Sequence, residues 1–431
     1  MKPEPLNPEP VVTSLGCKVN QAEAAWLRAE LARQGADPRE LVVLLTCTVT
    51  ATAARQSRQM ARRLARAHPG ARVVASGCDV QLEPERYRDM GLMVLGRAEL
   101  ARLPALAASD GPWPEGDLAP PQSGPLCPGL EAPGPRRTRG LLKVQDGCDA
   151  SCAYCIVPRV RGTPRSLPPD RATAALAHLG RQEAAEVVLT GVHLGRYGRD
   201  LERPLGLAGL VRRLLNAHPG PRLRLSSLEV SEVDPELAAL LAAEPRLCPH
   251  LHLPLQSGSD RLLAAMNRPY RTEDYAAVVH TLVRELPGLC LGADVMVGLP
   301  GESEADFAQT LELIRSLPVA YLHVFPYSPR PGTPAAEMNR RPPGPEVRRR
   351  AAALRELGQA KRLAFLRRQV GRRLRVVVEG GGLARSGNYC LVRLERRLPP
   401  GTLVEVEVTG LEEQARPPRL RGRLRGRLRG G

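Results

Sequence analysis

One nine-residue stretch constrains this chain more than any other: GCDASCAYC at 147–155 sets Cys148, Cys152 and Cys155 in a C-x3-C-x2-C spacing. Three thiolates this close can hold three irons of a [4Fe-4S] cube and leave the fourth without a protein ligand. An open iron can bind a substrate or cosubstrate, so the spacing predicts chemistry and not electron storage alone. A zinc site would want a fourth Cys or His nearby. The next cysteine downstream is Cys248, and His178 falls in a predicted helix, so the cluster is favoured over zinc or a chance grouping.

The motif follows a strand-like run, LLKVQDG (141–147). Five more such runs recur with helical stretches between them: EVVLTGV (186–192), RLRLSSL (222–228), LHLPLQS (251–257), LGADVMVGLP (291–300) and YLHVFPYS (321–328). Six βα units predict a partial (β/α)6 TIM-type barrel, whose active site gathers at the carboxyl ends of the strands. The cysteines follow the first strand directly, at that end.

Upstream, VVTSLG (11–16), LVVLLT (41–46) and RVVASG (72–77) read as parallel strands, each leading into a cysteine: Cys17, Cys47 and Cys78. In a doubly wound parallel sheet the carboxyl ends share one edge, so three thiols distant in sequence converge there. Helices beginning just after Cys17 and Cys47 would turn positive dipole ends toward them. Buried cysteines acting as small hydrophobes are the plainer alternative. Three strands all ending in cysteine favour a second three-cysteine cluster.

With 431 residues, 43% of them hydrophobic, the chain can build two or three domains with their own cores. The patterns divide it into an N-terminal cysteine domain (1–102), a Pro/Gly-rich linker (103–138) in which Cys127 is incidental, and a barrel with a trailing basic helix (139–370). A small β-barrel follows (371–412), then an Arg/Gly-rich tail (413–431) predicted to be disordered until it meets phosphate. Net charge is +17 and the pI near 10.0, which favours a polyanionic partner and above all nucleic acid. An arginine-heavy genome accounts for having only four lysines (Lys2, Lys18, Lys143, Lys361), but not for the excess of basic over acidic residues. No apolar run is long enough for a bilayer, and MKPEPLNPEP lacks the hydrophobic stretch of a signal peptide. The expectation is a cytoplasmic protein without membrane contact, whose cysteines are ligands or core residues, with Cys248, Cys290 and Cys390 assigned to packing.

GCKVNQAEA (16–24), TCTVTATA (46–53), QDGCDASCAYCIVPRVRG (145–162), LTGVHLGRYG (189–198), HLPLQSGSD (252–260) and HVFPYSPRPGTPA (323–335) resemble the radical S-adenosylmethionine (SAM) methylthiotransferases, over nearly the whole chain. The C-terminal segment is similar to the TRAM RNA-binding module. The first two blocks look most like the branch acting on threonylcarbamoyl-modified adenosine in tRNA.

The resemblance implies that a cluster on Cys148, Cys152 and Cys155 binds SAM through its open iron, by the amino and carboxylate groups. One electron would then cleave SAM to a 5′-deoxyadenosyl radical that takes hydrogen from carbon two of adenine. A cluster on Cys17, Cys47 and Cys78 would carry the sulfur that a second SAM methylates. The cofactors implied are two [4Fe-4S] clusters and two SAM per turnover, with an electron donor and a sulfur source to be identified. Sister branches use the same chemistry on isopentenyladenosine in tRNA or on an aspartate of a small-subunit ribosomal protein. A non-catalytic iron–sulfur RNA-binding redox sensor is the alternative from another class.

The tRNA partner would offer its anticodon loop, where single-stranded bases can be splayed and read. Aromatics are 3% of the chain, so arginine–phosphate contacts are predicted to dominate over base stacking. Further site candidates are Tyr154, packing near adenine or in the core; Gly191 and Gly298, where SAM could approach the backbone or the chain simply turns; and Ser226, Glu229 and Gln256 for the SAM amino group or ribose. His193, His252 and His323 read as satisfied core or rim histidines.

Overall fold

The computed structural model describes residues 11–37, 40–109, 113–114, 116–131 and 138–427. At the N-terminal end, β1 (Val11–Ser14), α1 (Lys18–Arg33), β2 (Leu41–Thr46), α2 (Ala51–Ala67), β3 (Arg72–Gly77), α3 (Cys78–Leu82) and β4 (Met93–Val94) alternate. The four strands are parallel, in the order β1-β2-β3-β4. β2 is buried at every position because both faces are covered. Val43 and Leu45 meet Leu27 and Leu31 of α1 on one face, while Val42 and Leu44 meet Ala61 and Leu64 of α2 on the other. Such two-sided cover turns a parallel strand into a continuous apolar run.

The central part is an arc of six parallel strands: β6 (Gly140–Lys143), β7 (Glu186–Thr190), β8 (Arg222–Leu225), β9 (His250–His252), β10 (Cys290–Val297) and β11 (Tyr321–Pro326). A parallel bridge from Leu223 to Leu247 joins its two sheets. Alternation along the strands separates the two faces. Leu142, Val187, Leu189 and Leu223 pack among the surrounding helices, whereas Leu141 and Val188 meet Ala22 of α1. The N-terminal domain thus lays α1 against the inner face of the arc. This is why α1, buried at Val19, Ala22, Ala24, Leu27 and Leu31, carries no single apolar stripe.

Two expectations need correction. Within the stretch read as a linker (103–138), β5 (Leu130–Glu131) pairs antiparallel with β6 and extends the arc. Cys127 there is buried, and its carbonyl accepts from Lys143 Nζ at 3.1 Å. The tail is the larger change. A 24-residue helix, Gly344–Arg367, leads into a closed five-stranded barrel of β12 (Arg373–Gly380), β13 (Leu383–Ser386), β14 (Leu391–Leu394), β15 (Leu403–Glu412) and β16 (Arg419–Arg427). β16, predicted to be disordered, lies between β14 and β15 and closes the barrel. Leu420 and Gly422 point inward, while Arg419 pairs with Glu412, and Arg423 and Arg425 with Glu407, on β15. Cross-strand charge pairs of this kind favour the strand. Residues 428–431 lie outside the described residues.

The small barrel docks on the amino end of the arc. Arg222 donates to the carbonyls of Arg375 (2.9 Å) and Arg385 (2.8 Å), and Arg224 to those of Gly387 (2.8 Å) and Ser386 (3.0 Å). Buried Glu186 neutralises both guanidiniums. No helix among the described residues is long and apolar enough to cross a membrane.

Candidate active site between two cysteine trios

Glycine geometry sets each trio in place. Gly147 turns the chain into Cys148 at φ +74°, where a Cβ would lie 1.9 Å from the Thr163 carbonyl oxygen. Gly16, at φ +94°, precedes Cys17, and a Cβ there would lie 2.4 Å from Cys47 Sγ. Cys17, Cys47 and Cys78 stand at the carboxyl ends of β1, β2 and β3. Cys78 packs against Ile156 and Val160, the residues that follow Cys155. α3 and the helix Val157–Arg161 lie side by side, so the two trios meet at the carboxyl end of the arc.

Burial and then the neighbouring Cys78 push the Cys47 thiol up to about 12. Burial, with Cys152 and Cys148 adding to it, does the same for Cys155. Burial thus keeps these thiols protonated unless a metal displaces the proton, because the thiolate is the ligating form.

Hydrogen-bond donors surround the sulfurs of the barrel trio. His193 Nδ1 lies 3.2 Å from Cys148 Sγ, and its Nε2 lies 2.9 Å from Glu232. The Gln145 side chain accepts from the His193 backbone N–H at 2.7 Å. Arg268 Nη1 lies 3.3 Å from both Cys152 Sγ and Tyr154 Oη, and the same guanidinium pairs with Glu229 and bonds Tyr270. His193, expected as a satisfied core or rim histidine, instead lies between a sulfur of the barrel trio and Glu232.

The other candidates sit around this centre. Ser226 directly follows β8, buried, with a hydroxyl that meets no partner. Gln256 adopts a left-handed φ of +67° beside Val295, a strain that concentrates at functional positions. The two glycines do not open onto empty space. A Cβ at Gly191 would meet Gln145, and one at Gly298 would meet Val347 of the helix Gly344–Arg367 at 2.7 Å. Room for SAM is not what the missing side chains provide; both let protein pack closely.

The inner face of the arc carries a column of rings. His250 stacks on Tyr389 of the small barrel at 4.5 Å, Tyr321 lies 6.1 Å from His250, and His252 stacks on His323 at 4.9 Å, with Phe325 beyond. His252 and His323 both bond Asp294, at 2.8 and 3.2 Å. Burial opposes ionisation of Asp294, but these two histidines hold its carboxyl down to about 2. Aromatics are scarce in the composition, yet several converge here, and His323 and Phe325 are exposed at the open end.

Sequence reasoning missed Arg268, Glu232, Gln145 and a buried charge group at the domain seam. In that group Lys143, Arg97 and Arg161 surround Glu23 and Asp146. Asp146 stands two residues before Cys148, but nothing local ties it to Glu23, more than a hundred residues away.

A three-cysteine loop at the carboxyl end of a partial parallel barrel, facing a second trio on a parallel sheet, defines a radical SAM protein with an accessory cysteine domain. Family comparison agrees: residues 142–314 match the radical SAM superfamily, and residues 10–95 match the uncharacterized protein family UPF0004. A threonylcarbamoyladenosine tRNA methylthiotransferase MtaB of Rickettsia prowazekii is 33% identical over 406 residues, 93% of this chain and 95% of that one. Its namesake in Aquifex aeolicus is 34% identical, covering 91% and 98%. A tRNA-2-methylthio-N(6)-dimethylallyladenosine synthase of Moorella thermoacetica is 33% identical, covering 86% of each chain. Among solved structures, the radical SAM methyltransferase TsrM of Kitasatospora setae superposes with a TM-score of 0.52 at 18% identity, over 72% of this chain and 67% of that one, a likeness of fold alone. The chain belongs to the radical SAM tRNA methylthiotransferase family. The two cysteine trios, and the unpartnered Ser226 hydroxyl at the carboxyl end of β8, fit that family's cofactors: two [4Fe-4S] clusters and SAM.

Proposed function

We propose that this enzyme adds a methylthio group to carbon two of threonylcarbamoyladenosine next to the anticodon of tRNA. The observation that carries the reading is the meeting of two cysteine trios at the open end of a ring-lined barrel, through Cys78 against Ile156 and Val160. The relatives named for threonylcarbamoyladenosine support the substrate branch. The Moorella relative keeps dimethylallyladenosine as a second reading.

In this reading Cys148, Cys152 and Cys155 hold one cluster, and Cys17, Cys47 and Cys78 the other. When bound, the first supplies the electron that cleaves SAM to a carbon radical, and the second supplies sulfur. Arg268 donates toward Cys152 and steadies negative charge on that sulfur, and the His193 ring lies against Cys148. Ser226, Glu229, Gln256 and Tyr154 stand where SAM would lie, with Gly191 and Gly298 shaping the backbone around them. His323 and Phe325 offer faces on which a splayed base can stack. α1 covers the inner face of the arc and keeps water from the reacting carbon.

The test is anaerobic reconstitution with SAM, a reductant and tRNA bearing threonylcarbamoyladenosine, followed by mass spectrometry of the digested nucleosides. A methylthio gain is expected for the wild type. Cys17→Ala should still cleave SAM without that product, and Cys148→Ala should do neither. A methylthio gain confined to dimethylallyladenosine would overturn the substrate assignment.

A further inference from the structure

Seven arginines are buried among the described residues, and six have a carboxylate partner. Arg97 and Arg161 pair with Asp146, Arg222 and Arg224 with Glu186, Arg268 with Glu229, and Arg350 with Glu302. The seventh, Arg330, is 8% exposed, and its Nε and Nη1 are buried without an acceptor. No hydrogen bond or ion pair with a described residue engages its side chain. A guanidinium stays charged at any pH the protein meets, and desolvating it without a counter-charge is costly. The fold compensates every other buried guanidinium from within. For this one the anion must come from outside.

The position of Arg330 says which anion. It lies in the loop after β11, at the carboxyl end of the arc, just past the exposed His323 and Phe325. Three bonds fasten this segment to the cysteine-bearing parts. Ser328 Oγ accepts from the Ala51 N–H at 2.8 Å, beyond Cys47; Arg159 donates to the Pro331 carbonyl at 3.4 Å, beyond Cys155; and Ala335 N–H donates to the Ala153 carbonyl at 2.8 Å, between Cys152 and Cys155. The Thr333 N–H and hydroxyl both hold the Arg330 carbonyl, so the loop is rigid where the guanidinium leaves it. The loop that carries the cation is therefore fastened to both cysteine-bearing parts.

We propose that Arg330 is an anion site for the carboxylate of the threonyl group carried on the substrate adenine, and so a specificity-determining residue. This rests on the substrate reading above. A polymer phosphate stays at the surface, where exposed arginines abound, whereas a substituent on the base travels inward with it. The SAM carboxylate has its own partner in the open iron that the family resemblance implies. A neutral dimethylallyl group would leave the guanidinium buried and unpaired, a penalty that discriminates strongly between related substrates.

The experiment uses reconstituted holoenzyme and anticodon stem-loop RNA carrying threonylcarbamoyladenosine, either as the free acid or with its carboxylate methyl-esterified. Binding is read by anisotropy and turnover by nucleoside mass spectrometry. Charge-assisted bonds to a carboxylate predict that esterification weakens wild-type binding ~10- to 100-fold. R330M should weaken the acid by a similar factor and no longer distinguish acid from ester, and R330K should recover part of the difference. The wild-type comparison needs no variant to fold. Equal binding of acid and ester by the wild type would overturn the proposal, as would a loss in R330M that is the same for both RNAs, which would point to a phosphate. Weakened SAM binding in R330M would assign the anion to SAM instead. If the wild type modifies the acid yet ignores esterification, this inference alone falls; if it never modifies that RNA, the substrate reading falls beneath it.

Discussion

Glu23 shows how much a single side chain carries at the seam. Its carboxylate meets Arg97 at 2.8 Å and also contacts Lys143 and Arg161, all of them buried. Burial alone would raise its pKa; the three cations override that and bring it down to about 2 from an ordinary 4.5. Glu23→Gln would leave three cations against Asp146 alone. Unpairing a buried charge in this way costs about 3–5 kcal/mol, so the variant should unfold at markedly lower urea. The sign with pH follows. A carboxyl depressed in the folded state contributes stability that is present above about 4.5 and lost as pH falls toward 2. The melting temperature of the wild type should therefore fall more steeply across that window than that of Glu23→Gln. Glu23 sits inside the block that suggested the substrate branch, yet its role was illegible there, because Lys143 and Asp146 reach it only after the barrel folds against α1.

At the scale of the element, β16 is the instructive case. RLRGRLRGR (419–427) reads by composition as a charged tail, but it alternates with a period of two, and Leu420 is fully buried between β14 and β15. Charge content outweighed periodicity in the sequence reading, since a strand with arginine on one face and glycine or leucine on the other is apolar only in part. Leu420→Ala should destabilise the small barrel by about 2–4 kcal/mol, seen as an earlier transition in denaturant. Truncation before Arg419 should do more than remove charge: it exposes the edges of β14 and β15, and aggregation of the purified chain is the expected result. The six strands of the arc were legible because each is a short apolar run bounded by turn residues, whereas β5 was missed because its two residues pair only across a proline-rich stretch.

For the molecule as a whole, a net charge of +17 implies affinity for tRNA that comes mainly from phosphate contacts. Arg396 and Arg397 are exposed at the end of β14, and no ion pair with a described residue engages them. If they meet RNA, the double Arg→Gln variant should lower the slope of log affinity against log salt by roughly 1–2 and leave stability within about 0.5 kcal/mol. An unchanged slope would place the RNA path elsewhere on the surface.

The sequence by itself determined the chemistry: cysteine spacing, a strand before each cysteine and the positive-φ glycines are local patterns, set by bonds a few residues long. Only the tertiary structure decided what surrounds that chemistry. Cys78 against Ile156, Arg268 beside Cys152 and the ring column that gathers scarce aromatics all join residues far apart in the chain, and the burial of Arg330, unpaired among the described residues, is set by such packing. Burial and pairing are properties of such contacts, and local sequence does not encode them.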